Sequence, residues 1–317
     1  MAWHSRDVLV TGASGLIGAE LCRELRARGA GVRAVDIEPS PGVQRFDVRD
    51  PKITALVPQG GVVFHLASIV GVVNVLRRPQ DCYQISVEGT ARVMQAAQAR
   101  DASLVFASSS EVYGEGEGRL LHEEDPLPSS YGAWPRASYP LGKRRAERLV
   151  LDVAAGARPG RVARLFNVSG PSQEMDSGMV LPTLVSQARR GKPMTLVNAG
   201  EDVRCFQHVR DAVQGLLKLA SVPGLDGQIV NLGGESILSM RGLASRVAQV
   251  LGVKEQLRFV DDAWRYGAPS TRCRYRVPDS SRAQRLLGHR PTVALDELIR
   301  DLAAAQAACA ESLAAPA

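Results

Sequence analysis

The sequence predicts an α/β protein, a doubly wound parallel sheet with a smaller α/β lobe towards its C-terminus. Three observations predict it. Through the first half of the chain, short apolar runs alternate with helical patterns, the rhythm of parallel strands joined by crossover helices. Hydrophobic residues make up 45% of the 317 residues but aromatic ones only 5%, and an aliphatic core suits a sheet covered by helices on both faces. Finally, the first apolar run ends in a glycine-rich turn that opens a helix.

Taken in order, strands are predicted at DVLV (7–10), GVRAVD (31–36), GVVFHLAS (61–68), SLVFASS (103–109) and RVARLFNV (161–168). Helices are predicted between them over about Leu16–Arg28, Asp81–Arg100 and Tyr139–Ala155. After Gly170 the spacing loosens. The helix LPTLVSQARRG (181–191), the strand PMTLVNA (193–199), the helix DAVQGLLKLA (211–220) and the strand GQIVNLG (227–233) suggest a smaller lobe interleaved with returns to the first sheet. A soft boundary falls there, with residues 1–170 as the main domain and 171–317 mainly as the smaller lobe. The Ala-rich end from Leu302 reads as a fraying helical tail.

A surplus of 39 Lys and Arg over 33 Asp and Glu gives a net charge of +6. It is scattered, which suits an anionic small ligand and gives no basic block for nucleic acid. Cys22, Cys82, Cys205, Cys273 and Cys309 are far apart, without a CxxC pair for zinc or redox chemistry. With no secretory pattern at the start and no long apolar run, a soluble cytoplasmic protein without a membrane partner is expected.

The turn Thr11-Gly12-Ala13-Ser14-Gly15-Leu16-Ile17-Gly18 carries glycines in a GxxGxxG pattern between strand and helix. Lacking Cβ atoms, the first two let the backbone approach a pyrophosphate, and Gly18 lets helix and strand pack closely. The next strand ends in Asp36, placed to accept hydrogen bonds from a ribose diol. Together they read as the dinucleotide site of a Rossmann sheet. Asp36 and Glu38 would repel a 2′-phosphate and favour NAD, while Arg33 keeps NADP as the alternative.

Tyr139 and Lys143 stand four apart on one helical face, where an ammonium favours a phenolate and lowers the tyrosine pKa towards a usable base. Ser108, Ser109 and Ser110 end the strand about 30 residues upstream.

On these motifs the chain resembles an extended short-chain dehydrogenase/reductase of the nucleotide-sugar epimerase/dehydratase family. The likeness runs from TGASGLIG through Asp47-Val48, His65-Leu66-Ala67-Ser68, ASSSEVYG at 107–114, the Tyr139-x-x-x-Lys143 helix and Arg164-Leu165-Phe166-Asn167 to Val203-Arg204-Cys205-Phe206 and the PDSSRA segment from Pro278. It implies NAD held by Gly12, Gly15, Leu16, Ile17, Gly18, Asp36, Asp47, Val48, Leu66, Ala67, Ser68, Tyr139, Lys143 and Phe166. It implies a nucleotide-diphosphate sugar met by Ser110, Asn167, Val180, Arg204 and Arg276. No metal is implied. Three departures stand out: Ser86 replaces a usual Asn, Ser169 a frequent Tyr, and Cys205 a frequent Asp.

The resemblance further implies that Ser109 hydrogen-bonds the sugar C4 oxygen while Tyr139 takes its proton and the C4 hydride passes to NAD, with Lys143 also holding the nicotinamide ribose. The resulting 4-keto sugar has three exits: C4 epimerisation, dehydration, or loss of a C6 carboxylate. Glu111 would be a C5 base in the dehydratase or decarboxylase types. Together with the residues around Lys143, the run from Arg161, and Arg276, it resembles UDP-glucuronate decarboxylases. A simple 4-epimerase is the alternative, in which Glu111 only orders its loop. A reductase of a non-sugar ketone, or a non-catalytic NAD-binding module, are readings of another class. A homodimer built on a face that includes the catalytic helix is implied. His65 and His208 read as satisfied core histidines, 115–118 as a solvated loop, and Leu141, Leu149 and Val150 as core-facing.

Overall fold

The computed structural model describes residues 3–116, 118–132, 136–153, 157–173, 178–261 and 274–314, with side chains to residue 309. Cys273, Glu117 of the 115–118 loop, and Ala154 and Ala155 of the predicted helix lie outside the described residues.

Seven strands form one parallel sheet: β1 (Asp7–Thr11), β2 (Gly31–Asp36), β3 (Gln44–Arg45), β4 (Val62–His65), β5 (Ser103–Ser109), β6 (Arg161–Leu165) and the late strand Ile229–Leu232. Their order is Ile229–Leu232, β6, β5, β4, β1, β2, β3. The direction of winding reverses between β1 and β4, so the crevice that such sheets use for ligands opens at the carboxyl ends of these two strands.

Apolar layers cover both faces. One packs α1 (Leu16–Ala27) and the helix Val209–Ser221 through Leu21, Leu25, Val213 and Leu216. The other, beyond the short helices α2 (Ile53–Leu56) and α3 (Val72–Arg77) in the chain, packs α5 (Thr90–Ala99) and α6 (Ser138–Leu151) through Val93, Met94, Ala146 and Val150. Each such fully buried aliphatic side chain contributes roughly 1.5–3 kcal/mol.

The predicted helix 81–100 is instead two segments, α4 (Pro79–Gln84) and α5, joined by a π-helical stretch at Ile85–Gly89. Ser86, in place of the usual Asn, donates to the Cys82 carbonyl at 2.8 Å. A Cβ on Gly142 would lie 2.9 Å from that of Ser86, so this glycine sets the close approach of α6. Leu141, expected in the core, is 36% exposed. The helix buries the stripe Gly142, Lys143, Ala146, Glu147 and Val150, and Leu141 falls beside it.

In the second half, Arg204 and Arg276 are register partners on the neighbouring strands Val203–Cys205 and Tyr275–Arg276. A separate apolar cluster joins the helices Val180–Arg189, Met240–Leu251 and Leu295–Ala314. The C-terminal helix is therefore more than a fraying tail: Leu298, Ile299 and Leu302 are buried, and Gln306 donates to the Pro182 carbonyl at 3.0 Å.

Candidate active site

At the end of β1 the backbone makes the site. Gly12 has φ +72°, and a Cβ there would lie 2.6 Å from the Ala67 nitrogen. One on Gly18 would lie 2.0 Å from the Gly12 carbonyl oxygen. Gly15 caps α1 without a side-chain bond, which leaves first-turn N–H groups and the positive end of the helix dipole facing the crevice. The Asp36 carboxylate accepts the Ser14 N–H at 3.0 Å and the Glu38 N–H at 3.1 Å, which fixes it beside the turn. Arg33 donates to the Leu56 carbonyl at 3.2 Å. Asp47 is engaged by Arg49 at 2.6 Å, and Val48 beside it is buried.

Leu66–Ser68 lie against this turn. The Leu66 N–H reaches the Thr11 carbonyl at 3.1 Å, the Ala67 N–H reaches the Thr11 hydroxyl, and the Ser68 hydroxyl is buried with no hydrogen-bond partner among the described residues. His65 is satisfied as expected, with Nδ1 2.8 Å from the Thr11 hydroxyl and Nε2 3.1 Å from that of Thr90. Burial, with Lys143 adding to it, pushes its pKa down to about 3. His208 is satisfied on one side only: its Nδ1 accepts the Arg210 N–H at 3.0 Å as the cap of its helix, while its buried Nε2 has no hydrogen-bond partner among the described residues and lies 3.4 Å from Asp301 Oδ2.

Across the crevice, Ser109 ends β5 and caps a single 3₁₀ turn, Ser110–Tyr113, by accepting the Glu111 N–H at 3.2 Å. Lys143 is buried, and its ammonium donates to the Ala107 carbonyl at 2.8 Å, 4.8 Å from the Phe106 ring centroid and 5.9 Å from that of Tyr139. Burial lowers its pKa to about 8. The expected lowering of the Tyr139 pKa is not what the protein chain alone produces. Burial raises it and the Glu111 carboxylate adds to the rise, against a hydrogen bond with Ser109 and the charge of Arg136. The reason is first burial of the phenol and then the Glu111 carboxylate that faces it, while the Lys143 ammonium is directed to a carbonyl.

That carboxylate sits among guanidiniums. Arg136 forms an ion pair with Glu111 Oε1, and Arg276 Nη1 lies 3.7 Å from the same oxygen. Burial pushes the Glu111 pKa up, but Arg136, Arg276 and Arg204 outweigh it and hold the group below the usual carboxylate range. Its Oε2 is buried and has no hydrogen-bond partner among the described residues. Arg204 bonds Asp202 at 3.1 Å and its own strand at the Val203 carbonyl. Asn167, at φ +37°, donates to the Cys205 carbonyl at 2.7 Å; Phe166 and Ser110 are buried, and Val180 opens its helix.

The model of the NAD dependent epimerase/dehydratase family matches residues 8–233. The chain belongs to that family. Over 92% of its length it is 28% identical to a UDP-N-acetyl-alpha-D-glucosaminuronate decarboxylase of Bacillus cytotoxicus, covering 95% of that protein. It is 31% identical to UDP-glucuronic acid decarboxylase 1 of Xenopus tropicalis, over 92% of this chain and 70% of that one. The solved structure of MoeE5 in complex with UDP-glucuronic acid and NAD is 30% identical, with a TM-score of 0.84 over 96% of this chain and 99% of that one.

In this epimerase/dehydratase, an NAD-dependent enzyme of the extended short-chain type, the glycine turn, Asp36 and the Leu66–Ser68 strand end fit a dinucleotide by their cradle and polar groups. Arg136 is the site residue that sequence reasoning missed. An arginine three residues before the tyrosine, just ahead of α6, was the available signal. Among the described residues no cluster of three or more His, Cys, Asp or Glu could hold a metal, and no helix is long and apolar enough to cross a membrane.

Proposed function

We propose that this enzyme oxidises C4 of a nucleotide-linked uronate and directs the 4-keto sugar to loss of its C6 carboxylate. The observation that carries the reading is the buried Glu111 carboxylate beside Tyr139, met by Arg136 and Arg276. Arginines gathered where the sugar would project C6 favour an anionic substituent there. The relatives with decarboxylase names point the same way.

In this reading Ser109 holds the C4 oxygen, Tyr139 accepts its proton, and Lys143 positions the ribose of the cofactor. Bound at the glycine turn, Asp36 and Leu66–Ser68, NAD would supply a reversible acceptor for the C4 hydride, and Tyr139 gives its proton back to O4 when the hydride is restored. With a ketone at C4, the C6 carboxylate belongs to a β-keto acid. Carbon dioxide leaves as the C5–C6 bond breaks, the electron pair passes into a C4–C5 enolate, and C5 then takes a proton. Glu111, beside the reacting face, relays that proton. Asp36 selects NAD over NADP, residues 1–170 with the late strand form the cofactor domain, and the second half supplies Val180, Arg204 and Arg276 to the nucleotide sugar.

A 4-epimerase is the second reading. The same arginines favour it, because a carboxylate paired with a guanidinium is stabilised against losing carbon dioxide. Mass spectrometry of the purified protein with NAD and a panel of UDP-, dTDP-, GDP- and CDP-sugars separates the routes. Carbon dioxide loss from a uronate supports the proposal; an unchanged mass with inverted C4, or loss of water, overturns it.

The 41% exposed Tyr83 on α4 and Leu141 on α6 offer an apolar face for a homodimer, checked by sedimentation. The buried free thiols of Cys22, Cys82 and Cys205 suit the reducing cytoplasm.

A further inference from the structure

Behind the catalytic residues lies a buried polar network. Ser108, Arg164 and Asn231 are register neighbours on three adjacent strands. Glu147, one turn beyond Lys143 on α6, meets this row. Its carboxylate accepts two bonds from Arg164, from Nε at 3.0 Å and from Nη2 at 2.8 Å, and one from the Ser108 hydroxyl at 2.5 Å. Both side chains of the pair are at most 4% exposed. Arg164 Nη1 also donates to the Glu123 carbonyl at 3.1 Å, and its guanidinium lies 4.7 Å from the Tyr113 ring centroid. The Tyr113 hydroxyl donates to Asn231 Oδ1 at 2.7 Å.

Stability does not require this arrangement. Desolvating two charges costs about as much as their attraction returns, so apolar side chains of similar volume commonly replace a buried pair without loss. What apolar contacts lack is direction, whereas a bidentate guanidinium–carboxylate pair fixes distance and angle together. Four of its members adjoin working residues. Ser108 precedes Ser109, Glu147 follows Lys143 by one turn, Tyr113 closes the turn that carries Glu111, and Arg164 stands three residues before Asn167.

We infer that Glu147, paired with Arg164, is a positioning residue that locks the catalytic helix to the Ser109–Glu111 turn, so that Tyr139 and Ser109 meet one substrate oxygen. The inference rests on Tyr139 and Lys143 acting as proposed. A displacement of about 1 Å in such a constellation costs up to ~10²-fold in rate.

The test uses the full-length protein with NAD and whichever panel sugar it turns over, with kcat expressed per NAD-binding site. Replacing the pair by apolar side chains, Glu147→Met with Arg164→Met, should leave Tm within a few degrees yet lower kcat by roughly 30- to 100-fold, with the Kd for NAD unchanged. Ser108→Ala, a milder lesion, should lower kcat by about 5-fold and Tm by a few degrees. Glu147→Gln gives a third readout. Lys143 is faced by Glu147 and Tyr139 on its own helix, Cys82 on α4 and His65 on β4. Removing the Glu147 charge should move the alkaline limb of kcat to lower pH. A kcat per site within threefold of wild type in both the double variant and Ser108→Ala, with an unmoved alkaline limb in Glu147→Gln, would overturn the positioning role. Tyr139→Phe run in parallel isolates the underlying reading: if it retains turnover, the catalytic assignment fails whatever Glu147 does.

Discussion

The two ends of the active site are built by different means. The end proposed for the cofactor is made mostly of backbone within the first 68 residues: a turn at Gly12, a helix terminus at Gly15, a strand end at Leu66, and one carboxylate, Asp36, pinned by two N–H groups. The end proposed for the substrate is made of side chains from distant places, Glu111, Arg136, Arg204 and Arg276, brought together by a short turn, a loop and two paired strands. Backbone geometry tolerates few substitutions, because a Cβ at Gly18 has nowhere to go. A cluster of long side chains can change its ligand by changing one member. One end is thus suited to an invariant cofactor, and the other to a substrate that differs between relatives.

If that division is right, mutations at one end should leave the other intact. The largest effect is expected from Tyr139→Phe, which removes the base and should cut kcat by ~10³-fold or more while the Kd for NAD stays near wild type. Fluorescence titration with NADH alongside turnover checks both halves. Next comes Glu111→Gln, which should allow the 4-keto sugar and NADH to form but slow proton transfer at C5 by ~10²-fold. The readout is bound NADH accumulating in heavy water with little deuterium at C5. If the Gln variant inverts C4 at the wild-type rate with no label in either protein, Glu111 only orders its loop and the chain is a simple epimerase.

The same division explains what was legible in the sequence. The sheet, the glycine turn and the Tyr139–Lys143 face are local patterns with fixed spacing, and strand, turn and helix appear where those patterns put them. The Arg136–Glu111 pair spans 25 residues and has no spacing rule, so only the folded chain reveals it. Leu141 was misplaced because helical periodicity marks a stripe without fixing its edge. The π-helical stretch at Ile85–Gly89 escaped because a single wide turn within a longer helix is too short to show a period of its own. Tyr139 shows a different failure: burial, which spacing does not reveal, raises the phenol's pKa, and the Lys143 ammonium that the i, i+4 rule put on its face turned to the Ala107 carbonyl.

A smaller effect separates the ends at the level of cofactor choice. Asp36→Ala should weaken NAD binding by about 10-fold and NADP binding much less, because the carboxylate is both a diol acceptor and a source of repulsion for a 2′-phosphate. Titrating both cofactors against the variant, and finding equal losses, would assign Asp36 to the turn alone through its bond to the Ser14 N–H.

The smallest expected effect concerns stability, at the backbone-built end. His65 is buried and neutral between Thr11 and Thr90, with its pKa held at about 3 against an ordinary 6.5. Because the folded value is depressed, the unfolded chain binds the proton first as pH falls. Stability is therefore fully present above 6.5 and is lost progressively down to the folded value, by up to about 1.4 kcal/mol per pH unit for a fully buried group. His289, pushed down to about 4, and His208, also lowered by burial, act in the same direction, so the slope belongs to three imidazoles. Between pH 6.5 and 5 the carboxylates contribute little, since their ordinary values lie lower. His65→Asn should lower stability at pH 8 by removing a bridging ring, yet should flatten the fall between pH 6.5 and 5 by roughly a third to a half. Urea unfolding midpoints across that window measure it, and a slope identical to wild type would mean that His65 titrates freely and does not hold the turn from beneath.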